Sequence, residues 1–138
     1  MSERPLPDSS PRMAPFWAAA RSGRLVLQRC GKCARFHFPA VEICSGCLSG
    51  DSLAWVDASG RGEIFSYVVM HQLYHPAFAN QVPYVVVDVK LAEGPRMIAR
   101  VLDCEAKDLS IGMDVEVAFE PLSDEFHVPV FRRTSKAR

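Results

Sequence analysis

Apolar and polar positions alternate along most of this chain, a period that predicts strands and leaves little room for helices. From Ser52 onward the segments LAWVDA, GRGEIFSYVVM, PYVVVDVKL, RMIARVLD, DVEVAFEPL and PVFRR succeed one another, with glycine, proline or aspartate at each junction. Short punctuated strands of this kind predict a mainly β fold. At this length the five-stranded antiparallel barrel of the oligonucleotide/oligosaccharide-binding (OB) type is the commonest closure. The longest break is HQLYHPAFANQV, residues 71–82, which separates two strongly apolar strands and carries two histidines, a tyrosine and a phenylalanine. Breaks of this length are often functional.

Upstream the pattern changes. PFWAAARSGRL places good helix formers after Pro15, a residue suited to a first helical turn, and Gly23 where a helix would end. A short N-terminal helix is expected there, too short to stand alone in water, so Phe16 and Trp17 must pack on the rest of the chain or on a partner. Beyond it, LVLQRC (25–30) and RFHFP (35–39) alternate as strands, the first delivering Cys30 and the second preceding a further cysteine pair. Residues 1–14 are expected to be a mobile leader, 15–51 a helix with a small metal-stapled module, 52–133 the barrel and 134–138 a basic tail.

Charge narrows the function classes. Sixteen lysines and arginines balance sixteen acidic residues, so a phosphate-neutralising surface would have to come from local clustering. Acidic residues run through the barrel segments, and basic ones are dense only in RRTSKAR at the end, which disfavours a nucleic-acid binder. The opening residues carry charges and prolines with no apolar run, so neither a signal peptide nor a membrane span is expected there, and a cytoplasmic protein is anticipated.

The cysteines then carry the sharpest signal. Cys30 and Cys33, then Cys44 and Cys47, form two C-x-x-C pairs separated by ten residues. Pairs at this spacing sit on facing tight turns and aim four sulfurs at one point, the pattern of a closed tetrahedral zinc site. Four thiolates leave no open position for substrate, so the Zn2+ would be structural; iron suits the same sulfur tetrahedron. Cys104 is left over and reads as a small buried hydrophobe.

In this order the segments resemble a known family, the zinc-ribbon and OB-fold proteins of domain of unknown function 35 (DUF35), with a rubredoxin-like ribbon ahead of the barrel. The likeness runs from Phe16 to Arg132: the FW…G.L helix entry, both cysteine pairs, LAWVDASGRGEIFSY, PYVVVDVKLAEGPRMIARV, IGMDVEVAFE and PVF. The resemblance implies a non-catalytic accessory subunit in a hetero-oligomer with a thiolase-fold or hydratase enzyme. Such a partner would act on CoA thioesters in degradation of an aromatic, steroid or fatty acyl-CoA, with the barrel helping to hold the CoA moiety. For that role the residues offer Tyr74, His75 and Phe78 as aromatic faces for adenine, and Arg96 and Arg100, with Arg132 and Arg133, as phosphate partners. His71, His75 and Asp88 invite a catalytic reading, but no nucleophile, base and orienting group stand at compatible spacing. The rival function is an independent nucleic-acid-binding protein, since ribbons and OB barrels both serve that end.

Overall fold

The computed structural model describes residues 6, 7 and 10–134, so residues 1–5, 8 and 9 of the expected leader and 135–138 of the expected tail lie outside the described residues. Helix α1 spans Ala14–Arg21, with Pro15 in its first turn. It ends as the sequence predicts: Gly23 takes φ +77°, and the amides of Ser22, Gly23 and Arg24 return to the carbonyls of Ala19 and Ala20. Strands β1 (Val26–Cys30), β2 (Phe36–His37) and β3 (Leu53–Asp57) form a three-stranded antiparallel sheet in the order β2-β1-β3.

Here one expectation is corrected. LAWVDA, assigned to the barrel from its alternation, is β3, and it pairs with β1 in the ribbon from Val26↔Asp57 to Cys30↔Leu53. Period alone fixes which residues share a face of a strand and says nothing about which sheet receives it.

The barrel itself uses β4 (Arg61–Met70), β5 (Tyr84–Leu91), β6 (Arg96–Leu102), β7 (Asp114–Pro121) and β8 (His127–Arg133), closed in the order β4-β5-β6-β8-β7. The OB-type barrel is as expected, its pairs antiparallel except where closure runs through a short parallel contact, Val101↔Phe131 and Leu102↔Arg132. Strand β5 displays the expected alternation, with Val85, Val87, Val89 and Leu91 turned inward. They meet Ile64, Met97, Val115 and Phe131 in the barrel core.

At one point two barrel backbones approach so closely that a side chain is excluded. A Cβ on Gly62 would lie 2.6 Å from the Lys90 carbonyl oxygen and from Val89 Cγ1. Helix α1 joins the two halves. Phe16, 2 % exposed, packs with Trp17, Phe38 and Trp55, while the Trp17 ring meets Phe126 edge-on at 5.6 Å. The two aromatics therefore fill the junction inside the chain.

Candidate metal centre and barrel surface

The two cysteine turns are built to one plan. In the first, the Cys30 amide donates to the Arg35 carbonyl (2.9 Å) and the Ala34 amide returns to the Cys30 carbonyl (2.8 Å). In the second, the Cys44 amide donates to Ser49 (2.9 Å) and the Leu48 amide to Cys44 (2.8 Å). Ala34 and Leu48, each four residues past its leading cysteine, both take positive φ, 69° and 64°. Each turn thus folds back on its first cysteine and aims two sulfurs inward.

Across the turns Cys30 Sγ lies 3.6 Å from Cys47 Sγ, and Cys33 Sγ 3.5 Å from Cys44 Sγ. All four sulfurs sit within 4.8 Å of one another. A tetrahedron with zinc–sulfur bonds of about 2.3 Å has edges of about 3.8 Å, so the cage fits the ion. Cys30 and Cys44 are buried; Cys33 and Cys47 are exposed. Without a cation the cage divides its protons unevenly. The Cys44 thiol is lowered to about 5 by the Cys47 amide, against burial, with help from His37 and the Gly46 amide. Cys33 is pushed up to about 11: the Arg35 amide pulls it down, but the neighbouring Cys44 sulfur and burial outweigh that pull. Four negative sulfurs at these distances repel, and a dication is what lets all four ionise together.

The residues singled out for CoA do not form one cluster. Tyr74 is 70 % exposed on the 71–82 segment, whose only helical turn is Pro76–Phe78. His75 caps that turn, its Nδ1 accepting from the Ala77 amide at 3.0 Å. Phe78 stacks on Tyr84 at 5.4 Å, which occupies one of its faces. Arg100 is committed within the chain: one nitrogen donates to both Glu120 oxygens (2.8 and 2.9 Å) and another to Gln81. It ties the 71–82 segment to β6 and β7. Arg96 stands about 13 Å further along β6 at ~3.3 Å per residue, its guanidinium 4.3 Å from the centre of the Phe65 ring. Arg132 faces Glu116 at 3.5 Å, and Arg133 donates to Cys104 Sγ at 3.5 Å. Cys104 is half-buried rather than buried. His71 is exposed and lies apart from Asp88, which faces Arg96 at 3.7 Å.

Sequence reasoning passed over two further features. His37, read only as a strand residue, is 7 % exposed with Nε2 at 3.3 Å from Cys44 Sγ. The outer face of β4, β5 and β6 carries an apolar strip of Phe65, Val68, Val86 and Ile98. Three of these are exposed, Phe65 at 49 %, Val68 at 55 % and Ile98 at 72 %. Val68 lies opposite Val86, and Ile98 opposite Asp88, whose Oδ1 is buried without a hydrogen-bond partner among the described residues. The continuous run YVVVDV was the available signal, because a strand apolar on both faces has two surfaces to cover.

Two family models match, the rubredoxin-like zinc ribbon domain of ChsH2 on residues 17–53 and its C-terminal OB-fold domain on 55–120. A DUF35 domain-containing scaffold protein of Methanocaldococcus jannaschii is 34% identical over 101 residues, covering 73% of this chain and 71% of that relative. The chain belongs to the DUF35 family. With the ribbon model and the four converging sulfurs together, this DUF35 chain carries a zinc-ribbon metal site. A probable enoyl-CoA hydratase alpha subunit of Thermomonospora curvata is 37% identical over 94% of the chain, which spans 40% of that relative's length. Among solved structures, one described as an Ltp2-ChsH2(DUF35) aldolase superposes with TM-score 0.84 at 36% identity, covering 93% of this chain and 98% of that one. A DUF35 protein of unknown function from Sulfolobus solfataricus, 14% identical with TM-score 0.60, shares the fold. Among the described residues no helix is long and apolar enough to cross a membrane.

Proposed function

We propose that this DUF35 chain is a non-catalytic, zinc-stapled accessory subunit of an enzyme complex acting on CoA thioesters, its partner a thiolase-fold or hydratase subunit. The observation that carries this reading is the match at TM-score 0.84 over 98% of the chain described as Ltp2-ChsH2(DUF35) aldolase, a description that joins a DUF35 protein to a second component. The hydratase alpha-subunit relative supports the same class of complex. The apolar strip on β4, β5 and β6 supports it independently, as a surface that excludes water only when something covers it.

In this reading CoA meets the 71–82 end of the barrel, on Tyr74 and His75, because both terminal nitrogens of Arg100 are engaged by Glu120 and Gln81 and its Nε is buried. Arg96, at the other end of β6, belongs in this reading to the partner-facing strip. Substrates are aromatic, steroid or fatty acyl-CoA.

The test is co-expression with thiolase-fold and hydratase subunits encoded beside it, followed by size-exclusion chromatography with mass measurement. A stoichiometric complex is expected with one of them, and Ile98→Asp should dissolve it while leaving the zinc content unchanged. A chain that remains alone with every such neighbour sinks the proposal. In the complex, Tyr74→Ala should weaken CoA binding by about 5-fold or more, the loss of one base-stacking contact.

A further inference from the structure

Gln28 and His37 are direct cross-strand partners in β1 and β2, so their side chains emerge on the same face of the ribbon sheet. Both are buried, at 7 % exposure each, and both reach toward the segment that carries the second cysteine turn. The Gln28 amide grips Val41 from both sides, its Nε2 donating to the Val41 carbonyl (3.1 Å) and its Oε1 accepting from the Val41 amide (2.8 Å). Three residues on, His37 Nε2 lies 3.3 Å from Cys44 Sγ, which also receives the Gly46 amide at 3.3 Å. Cys44 is fully buried, so water does not solvate its sulfur. A sulfur bound to a metal has no proton and only accepts, which assigns the hydrogen to the imidazole Nε2.

We propose that His37 is the positioning residue of the metal site. Its Nε2–H holds the Cys44 thiolate in place, and the cross-strand Gln28 holds the strand leading to it, so that a sulfur released from the metal recaptures it before the second turn swings away. Donors of this kind around metal ligands typically change affinity 10–100-fold. Neither residue follows from the cysteine spacing, and the inference is independent of which enzyme the chain serves.

The test uses the zinc-loaded full chain and follows transfer of zinc to a chromogenic chelator. His37→Leu should release zinc at least about 10-fold faster, and His37→Gln, which keeps an N–H at similar reach, should recover most of the loss. In the cobalt-substituted protein His37→Leu should shift the sulfur-to-metal charge-transfer bands. Gln28→Leu should speed release and leave those bands in place, because Gln28 touches no sulfur. Release from His37→Leu at the wild-type rate, or an unshifted cobalt spectrum, overturns the assignment. Nitrogen-15 spectra of the unmutated zinc protein decide it without any variant: a hydrogen on Nε2 is expected, and one on Nδ1 would refute the proposal.

Discussion

At the scale of single residues, the two cysteine turns carry a measurable strain. Ala34 and Leu48 sit in the left-handed region, where a residue with a Cβ costs roughly 1–2 kcal/mol relative to glycine. Leu48 is 76 % exposed, so removing its side chain forfeits little packing. Leu48→Gly should therefore stabilise the zinc-loaded protein by roughly 0.5–1 kcal/mol, after the extra unfolded-state freedom of glycine is subtracted; a lower melting temperature for Leu48→Gly would contradict this account of the turn. Arg100 and Glu120 make the opposite case. Their side chains are only 17% and 26% exposed, so Arg100→Met leaves a half-buried carboxylate without its guanidinium. A loss of about 1–3 kcal/mol is expected, less than for a fully buried pair because water reaches both groups. Urea denaturation checks it, and a change within error would mean Glu120 finds another donor. The cysteines were legible in the sequence because a spacing rule turns sequence distance directly into geometry. His37 was not, because its role depends on which way one strand residue faces across a sheet whose register the sequence does not print.

At the scale of elements, α1 shows why an eight-residue helix persists when its length alone would leave it marginal. Three of its residues, Phe16, Ala19 and Ala20, are buried, and its aromatic pair reaches both halves of the chain. Phe16→Ala removes the contact shared by Phe38 and Trp55 and should cost about 3–5 kcal/mol, the range for a buried phenylalanine. Thermal unfolding followed by tryptophan fluorescence measures it, and a cost below about 1 kcal/mol would mean that the junction repacks freely. The helix, the strands and the 71–82 break were all readable from period and punctuation. The pairing of β3 with β1, and the parallel β6 and β8 contact that closes the barrel, were not. Both are long-range choices that a two-residue alternation leaves open. The residues singled out for CoA from the sequence illustrate the same limit at finer grain: Arg96 and Arg100 lie four apart on one strand, yet one stacks on Phe65 and the other is locked to Glu120.

At the scale of the whole molecule, the metal divides the chain into a part that depends on it and a part that does not. The ribbon, residues 25–57, contributes few fully buried apolar side chains of its own, chiefly Leu25, Val26 and Leu27. Segments below about 40 residues rarely hold together without a metal or disulfide. The barrel closes in the order β4-β5-β6-β8-β7 and encloses Ile64, Val87, Val89, Leu91, Met97, Val115 and Phe131. The link between the two is α1, which packs on both β1 and β8. Removing zinc with a chelator is therefore expected to strip hydrogen-exchange protection from β1, β2 and β3 first. The tryptophan emission should shift red as Trp17 and Trp55 lose their neighbours, while β4, β5 and β6 keep their slow amides. The alternative outcome is informative in a definite way. If the barrel amides exchange together with the ribbon, the contiguous core through Phe16 and Leu25 makes the chain one cooperative unit. Zinc would then support the barrel surfaces assigned here to the partner and to CoA, and metal loss would release the partner as well as the ribbon.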